Sequence, residues 1–286
     1  MNGPLLALVG TPIGNLSDVS ERVIHILTTV DVIAAEDTRR TRAMRSALDI
    51  PAGQRLFALH KHTERTVSRA LVERLRAGAT VAYVTDAGMP TISDPGFELV
   101  RLATEADIPV TVIPGPDSIT TALALSGFHV DRFVFEGFLP RKGADRKKRL
   151  AAIAVEASTV VIFESPHRVQ RLLFDLGEAG LAQRSVAVAR EMTKRFEEVL
   201  RGTVSDVAAH FDEHPPRGEF VVVLAAHIPE QREPSSEEIR RLMLTLLNSG
   251  LRSKEVAKEL AATFGLSARD AYERVIEAQR EQDQPR

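Results

Sequence analysis

Short apolar runs alternate with amphipathic stretches up to about residue 125 of the chain. Runs of four or five apolar residues predict buried strands, and apolar positions three and four apart predict helices that pack on one face. The predicted strands are Leu5–Val9, Val32–Ala35, Leu56–Leu59, Thr80–Val84 and Val110–Ile113. The predicted helices begin at Ser20, at Thr63 and near Phe97. Because strands and helices alternate, we predict a mostly parallel sheet with helices on both faces.

The pattern changes after Gly127, where strand candidates follow one another more closely. They lie at Phe133–Phe135, Thr159–Phe163, Ser185–Ala189, Glu198–Arg201 and Phe220–Ala225. The third and fourth leave no room for a helix between them, so they predict a hairpin and therefore a mixed sheet. We predict a first α/β domain over 1–127 and a second, differently built α/β domain over 128–228.

The end of the chain has a third pattern. The stretch from Ile228 to Ser236 contains two prolines and many polar residues, which is typical of a linker. Helical spacing then recurs at Glu237–Asn248, Ser253–Phe264 and Ser267–Gln279. The last two helices, with a short turn at Gly265, have the spacing of a helix–turn–helix. We predict a small helical domain over 234–286.

Composition narrows the classes of protein to consider. The chain has 286 residues, 44% of them apolar, which is enough for a substantial core. It has no cysteine, which excludes disulfides and cysteine-ligated metals, and its histidines lack the partners of a metal site. The amino terminus lacks the basic start of a signal peptide, and no run approaches the ~20 apolar residues of a membrane span. We expect a cytoplasmic protein that binds neither a membrane nor a metal.

Three polar turns follow predicted strands, namely 10–14, 85–96 and 114–118. Because the carboxyl ends of parallel strands meet at one edge of a sheet, this edge is the expected ligand site. The first turn, Gly10-Thr11-Pro12-Ile13-Gly14, lacks a third glycine and a donor at Pro12, which disfavours a pyrophosphate site. By itself it is more typical of an ordinary tight turn. In the third turn Asp117 can cap a helix whose amides and Ser118 bind a ligand.

Two runs of basic residues stand out because the net charge of the whole chain is only −2. The first covers 36–42, with Arg45 nearby, and the second covers 140–149 with six cations and one acid. Arginine and lysine clusters of this kind suit phosphate groups and nucleic acid. The alternative is that each run is a solvated helix face.

The motifs GTPIGNLSD, AEDTRRTR, VTDAGMPTISDPG, PGPDSITTALALSG, FEGFLPRKG, FESPHRV and REMTKRFEE occur in this order. Together they resemble the ribosomal RNA small-subunit methyltransferase I family from about Pro4 to Leu224, and the tail from Pro234 resembles its helical extension. The resemblance implies the fold of the tetrapyrrole methylases, with two α/β domains and S-adenosylmethionine in the cleft between them. It also implies 2′-O-methylation of a cytidine in the decoding centre of 16S ribosomal RNA, on the small ribosomal subunit, by a homodimer.

The resemblance carries a set of site residues onto this chain. Ser118 and Ile119 are expected near the methionine part of the cofactor and Phe163 near its adenine. The loop from Asp86 to Asp94 departs from the Gly-Asp-Pro pattern of the tetrapyrrole enzymes, which separates this branch from small-molecule methylases. The predicted cofactor-binding residues are Gly10, Thr11, Pro12, Gly14, Asp86, Gly88, Ile92, Ser93, Asp94, Ser118, Ile119 and Phe163.

The reaction requires that a ribose hydroxyl be aligned and lose its proton. The hypothesis is that Glu36 or Asp37 accepts or orients the proton, whereas Arg39 and Lys142 hold neighbouring phosphates. The sequence leaves the proton acceptor open. Two alternatives stand beside this function: a methylase of a small tetrapyrrole, and a non-catalytic ribosome-binding protein that uses its carboxyl-terminal helices.

Overall fold

The computed structural model describes residues 3–227 and 235–282, with side chains up to residue 279. Residues up to His227 form one compact unit, and the carboxyl-terminal helices belong to a second. The first unit contains two five-stranded sheets. The predicted α/β fold with a helical extension is confirmed. The predicted boundary between residues 127 and 128 stays a prediction.

The amino-terminal sheet is parallel throughout, in the order β3-β2-β4-β1-β5. Its strands are β1 (Leu5–Val9), β2 (Val32–Ala35), β3 (Arg55–Ala58), β4 (Thr80–Val84) and β5 (Val110–Ile113). Its helices are α1 (Glu21–Thr29), α2 (Thr38–Ala47), α3 (Glu64–Arg76), α4 (Phe97–Glu105) and α5 (Ser118–Ser126). The inner strands read as continuous apolar runs because helices cover both faces.

The second sheet is mixed, in the order β6-β7-β10-β8-β9. Its strands are β6 (Phe133–Phe138), β7 (Thr159–Glu164), β8 (Ser185–Arg190), β9 (Glu198–Thr203) and β10 (Phe220–Leu224). β6 and β7 are parallel, and β8 and β9 form the predicted hairpin. Its helices are α6 (Ala144–Val155), α7 (Val169–Leu176) and α8 (Val204–Glu213). Helix α5 packs on this sheet, through Ile119 and Leu123, and so joins the two halves of the unit.

Helices α2, α6, α7 and α8 were not among the predicted elements, although the buried residues of α7, Val169, Leu172, Leu173 and Leu176, do have helical spacing. In α2, by contrast, the only buried side chains are those of Thr41 and Arg45. A helix without an apolar stripe gives no periodic signal. The two basic runs therefore belong largely to helices, which agrees with the alternative that each run is a helix face.

The carboxyl-terminal unit contains the three predicted helices, α9 (Ser236–Asn248), α10 (Ser253–Phe264) and α11 (Ala268–Gln282). They enclose a core of their own that includes Met243, Leu260 and Val275. Most of the predicted linker, residues 228–234, lies outside the described residues. Within the described ranges no helix is both long enough and apolar enough to cross a bilayer.

The loop after β4 is fixed by a contact between Gly96 and Tyr83. Tyr83 is fully buried and its hydroxyl donates to the carbonyl of Pro95 at 2.8 Å. Gly96 has φ = 118°, and a Cβ there would lie 2.3 Å from Cε1 of Tyr83. The position therefore requires glycine for two independent reasons, backbone conformation and space.

Gly96→Ala is expected to lower the free energy of unfolding by about 2–4 kcal/mol, because backbone strain and overpacking each cost about 1–3 kcal/mol. Urea unfolding measures the loss. Gly78→Ala is the matched control, since Gly78 also has positive φ (94°) but a Cβ there would meet nothing within 4 Å. Equal losses in the two variants would show that the Tyr83 contact contributes nothing.

Candidate functional site

A cleft of about 520 Å³ opens at the carboxyl edge of the amino-terminal sheet. The loops after β1, β2, β4 and β5 line one side, and the ends of β6, β7, β8 and β10 line the other. Nine of the predicted site residues line this cleft: Glu36, Asp86, Gly88, Ile92, Ser93, Asp94, Ser118, Ile119 and Phe163. The structure therefore brings together three loops and a strand end that are separated by up to 127 positions in the sequence.

The first glycine turn supports the cleft from behind, and only Ile13 of this turn lines it. A Cβ on Gly10 would lie 2.7 Å from the amide nitrogen of Gly115, so glycine is needed where the turns after β1 and β5 meet. Thr11 exchanges two backbone hydrogen bonds with Gly88. Gly10, Thr11, Pro12 and Gly14, all predicted to bind the cofactor, are thus absent from the lining.

Gly14 lies against the turn that follows β8. A Cβ on Gly14 would lie 2.5 Å from Cγ of Lys194 and 2.7 Å from Oγ1 of Thr193. Its missing side chain lets the two halves of the unit approach each other at the edge of the cleft. The close approach of the two segments is enough to account for glycine at position 14.

Asp37 and Arg39 bind each other outside the cleft lining. The Asp37 carboxylate caps α2 by accepting from the amide of Arg39 at 2.8 Å, and it also accepts two side-chain hydrogen bonds from Arg39. These hydrogen bonds hold the pKa of Asp37 well below its usual range. Lys142 is exposed in the turn between β6 and α6 and likewise does not line the cleft. Of the four residues predicted to be catalytic, only Glu36 lines it.

Glu36 and Asp86 are linked through the backbone. The amide of Asp86 donates to Oε2 of Glu36 at 3.2 Å, and the amide of Asp37 donates to Oδ1 of Asp86 at 3.1 Å. Burial raises the pKa of Glu36, and the negative charge of Asp86 adds to this. Nε of Arg40 lies 3.5 Å from Oδ2 of Asp86. Arg40 therefore belongs to the site, although it was predicted only as part of a basic run.

Asp94 has the most perturbed carboxyl group of the cleft. Burial, together with the charges of Glu36 and Asp86, raises its pKa to about 7. Within residues 3–227 nothing donates a hydrogen bond to its carboxylate, whereas Glu36 and Asp86 each accept one. A carboxyl group of this kind exchanges its proton near neutral pH, as a general acid or base must.

Asp94→Asn is expected to stabilise the protein at alkaline pH. Because the folded-state pKa of about 7 lies above the ordinary 3.8, the folded protein keeps a proton that the unfolded chain loses, so stability falls as pH rises between these values. We expect a gain of about 1–2 kcal/mol at pH 8, after discounting for solvent screening. Urea unfolding at pH 5 and pH 8 tests this, and the gain should shrink towards pH 5. A variant less stable than the wild type at pH 8 would contradict the assigned environment.

Two segments of the cleft lining have strained backbone. Thr91 and Ser93 have φ of 73° and 64°, and Glu191 and Thr193 have φ of 50° and 65°. Positive φ is uncommon outside glycine and is a genuine outlier for a β-branched residue such as threonine. Backbone strain of this kind is concentrated at active sites and ligand-binding segments. The turn at 191–194 was not among the predicted site residues, although it belongs to the REMTKRFEE motif.

Aromatic and apolar side chains form the remaining wall. The ring of Phe163 packs edge-on against Phe135 at 4.8 Å and Phe138 at 5.6 Å between centroids. Phe138 and Met192 line the cleft as well and were not predicted. An apolar wall with a few polar groups is the usual composition of a small-molecule site.

The charge of the lining is strongly negative. Its acids are Glu36, Asp86, Asp94, Asp117, Glu164, Glu191 and Glu219, and its cations are Arg40 and Lys194. Both cations already face a carboxylate, since Lys194 lies 3.0 Å from Glu191 and Arg40 is near Asp86. The cleft therefore favours a positively charged ligand and disfavours a polyanion.

Known proteins resemble this chain over nearly its whole length. The profile of the tetrapyrrole (corrin/porphyrin) methylases matches residues 5–208. A ribosomal RNA small subunit methyltransferase I of Synechocystis is 42% identical over 274 residues, which is 96% of this chain and 98% of that protein. The protein of the same name from Mycobacterium tuberculosis is 41% identical over 286 residues, covering 100% and 99%. The chain belongs to the ribosomal RNA small subunit methyltransferase I family.

Solved structures agree with this family at the level of the fold. Uroporphyrin-III C-methyltransferase from Thermus thermophilus, complexed with S-adenosyl homocysteine, matches with a TM-score of 0.56 at 19% identity, covering 78% of this chain and 97% of that one. This chain thus has the tetrapyrrole methylase fold. Its family makes it a methyltransferase. S-adenosylmethionine is its cofactor.

The cleft residues fit S-adenosylmethionine. The volume of about 520 Å³ is within the usual range for small-molecule sites, roughly 300–1,000 Å³. The excess of carboxylates suits a sulfonium and an ammonium group, and the apolar wall at Phe163, Ile119 and Met192 suits an adenine ring. Gly88, with φ of 80°, presents backbone to the cleft where a side chain would occupy part of it.

Proposed function

We propose that this chain methylates the 2′-hydroxyl of a cytidine in the decoding centre of 16S ribosomal RNA, on the small ribosomal subunit. The names of its relatives support ribosomal RNA of the small subunit as the substrate class. The observation that carries the chemistry is Asp94, a carboxyl group without a hydrogen-bond donor in the described unit, with a pKa of about 7, inside a cleft suited to a cationic cofactor.

When bound, the cofactor supplies a methyl group on a positively charged sulfur. We propose that Asp94 accepts the proton of the 2′-hydroxyl as the new oxygen–carbon bond forms and the sulfur–carbon bond breaks. A ribose hydroxyl is a very weak acid, so a base with a raised pKa assists it better than an ordinary carboxylate does. Glu36 and Asp86 contribute by keeping the pKa of Asp94 high, and Arg40 holds Asp86.

The hypothesis for Asp37 is weakened by its contacts. Its carboxylate is occupied by the α2 amide and by the guanidinium of Arg39, which leaves it a poor base. Lys142 remains a candidate for holding a phosphate because it is exposed and unpaired among the described residues. Arg39 is exposed too, but its guanidinium is paired with Asp37, so a phosphate would have to share it. Lys142 follows Phe138, a residue of the cleft lining, by four positions.

The decisive experiment uses labelled S-adenosylmethionine and small ribosomal subunits that lack the modification. Digestion to nucleosides should give label in 2′-O-methylcytidine. Label in another nucleoside would retain the methyltransferase and reject the cytidine 2′-oxygen. Label in a tetrapyrrole offered without RNA, with none in the subunits, would favour the small-molecule alternative. Tight binding of the subunits, with no affinity for the cofactor and no transfer, would favour a non-catalytic ribosome-binding protein.

We also infer a cytoplasmic homodimer, on the basis of the family alone. Analytical ultracentrifugation at micromolar concentration tests the dimer. A monomer under these conditions would reject it without affecting the proposed reaction.

A further inference from the structure

A second groove, of about 510 Å³, lies at the same edge of the amino-terminal sheet as the cleft. It is lined by the segment that leads into α3 and by the first turns of α3 and α4. Both helices follow parallel strands, so their first turns lie at the carboxyl edge. Four cations line the groove: Lys61, Arg65, Arg69 and Arg101.

Two acids, Glu64 and Glu98, line the groove as well. Three of the four cations form no ion pair with them or with any other described residue. Arg101 donates to Glu98 at 2.9 Å and also pairs with Glu105, so its charge is neutralised. Lys61, Arg65 and Arg69 are exposed, and no carboxylate of the described residues lies within 4 Å of them. The hydrogen bond from Arg101 lowers the pKa of Glu98, and the charges of Arg65 and Arg69 add to this, so these two arginines lie close to an acid without pairing with it. With four cations and two acids in its lining, the groove is positively charged in a chain whose net charge is −2.

The groove adjoins the cofactor cleft through the loop after β4. This loop lines the cleft as far as Asp94, and Phe97, three residues later, lines the groove. The two Cα atoms are therefore at most ~11 Å apart. Oε1 of Glu64 accepts from the amides of Gly96 at 2.7 Å and Glu98 at 3.0 Å, which fastens α3 to the end of the loop.

The negative charge of the cleft disfavours phosphates inside it. A nucleotide that enters the acidic cleft is held more favourably if its neighbours' phosphates lie on a cationic surface outside it. Some cations of the two basic runs are already paired with acids of the protein and so are not free to bind phosphates. Arg146 pairs with Asp175 at 2.7 Å, and Arg149 pairs with Glu136 at 2.6 Å. The groove has three cations without an ion pair in the described residues, and also an aromatic ring, Phe97, that is 69% exposed. Cations beside an exposed ring are the usual means of binding single-stranded RNA.

We propose that this groove binds the single-stranded RNA next to the methylated nucleotide. Lys61, Arg65 and Arg69 contact its phosphates, and Phe97 stacks on one of its bases. The assignment rests on the proposed ribosomal RNA substrate and adds to it the surface that holds the strand.

The test measures the affinity for unmodified small ribosomal subunits at several KCl concentrations. Each lost phosphate contact lowers the slope of log K against log salt by ~0.7 for single strands, so Lys61→Gln with Arg65→Gln and Arg69→Gln should make it shallower by about 2. Phe97→Ala should weaken binding about 10-fold and leave the slope unchanged. The affinity for S-adenosylmethionine should not change in either variant.

The matched control replaces three exposed arginines that line neither the cleft nor the groove, Arg22, Arg132 and Arg217, by glutamine. An unchanged slope in the groove variant overturns the proposal, even if affinity falls, because the contact would then not be with phosphates. An equal loss of slope in the control overturns it too, since the effect would be one of net charge. Wild-type methylation is read in parallel. If wild type forms no 2′-O-methylcytidine, the proposed function fails, whereas an unchanged slope with active wild type rejects only the groove.

Discussion

Asp94→Asn is expected to lower kcat for methyl transfer by about 10²–10⁴-fold, the usual contribution of a positioned general base. Asparagine preserves the size of the side chain but does not accept the proton of the 2′-hydroxyl. The affinity for S-adenosylmethionine should change little, because Glu36, Asp86 and Asp117 keep the cleft acidic. Single-turnover transfer to small subunits, with cofactor binding by calorimetry, separates the two effects.

The pH profile gives an independent reading of the same group. Since the pKa of Asp94 is raised to about 7, the wild-type rate should fall about tenfold per pH unit below that value. Glu36→Gln removes one of the two charges that raise this pKa, so the midpoint should move to lower pH in that variant. If Asp94→Asn stays within threefold of wild type, or if Glu36→Gln leaves the midpoint unchanged, Asp94 is not the proton acceptor.

Asp86→Asn is expected to weaken the binding of S-adenosylmethionine by about 10–100-fold, which corresponds to about 1.4–2.8 kcal/mol. The substitution removes a carboxylate from the cleft and leaves Arg40, now 3.5 Å from Oδ2 of Asp86, without its partner beside a cationic ligand. S-adenosyl homocysteine has a neutral sulfur. Its affinity should therefore fall less than that of S-adenosylmethionine.

Titration calorimetry with the two ligands tests this prediction, and a double variant provides the control. Adding Arg40→Gln to Asp86→Asn removes the unpaired cation and should restore part of the affinity. Equal losses for the two ligands would show that the acids of the cleft do not distinguish the charged sulfur. The excess of acidic side chains in the cleft would then need another explanation.

Many residues that line the cleft were predictable because they lie in loops directly after predicted strands. The apolar run Thr80–Val84 predicts β4, and the polar loop after it contains Asp86, Ser93 and Asp94, which all line the cleft. Ser118 was predicted in the same way from the turn after β5. The parallel topology then places these loops at one edge.

The residues that the sequence did not indicate come mostly from the second sheet. Met192 and Glu191 belong to the turn of the β8–β9 hairpin, where strained φ values replace the glycines that usually mark such a turn. Phe138 ends β6 after a bulge between Phe135 and Gly137, and a bulge changes the direction of the side chains beyond it. Neither position has a periodic signal.

The sequence leaves the role of a glycine turn or a charged run open. Gly10 and Gly14, whose contact with the cofactor stays a prediction, each lie where two chain segments approach closely. Asp37 and Arg39 were predicted as catalytic, and they neutralise each other at the start of α2. In the sequence a glycine turn or an ion pair has the same appearance whether its partner is a ligand or another part of the protein.

By itself the sequence determined the two α/β patterns, the helical end and the family, because apolar periodicity and ordered motifs are local properties of the chain. Only the tertiary structure decided which acids share one cleft. It also decided which cations remain free, because pairing depends on distances between residues far apart in the chain. The raised pKa of Asp94 follows from that packing, and so does the positive charge of the groove at Lys61, Arg65 and Arg69, which form no ion pair among the described residues. Both proposals about the reaction depend on these features.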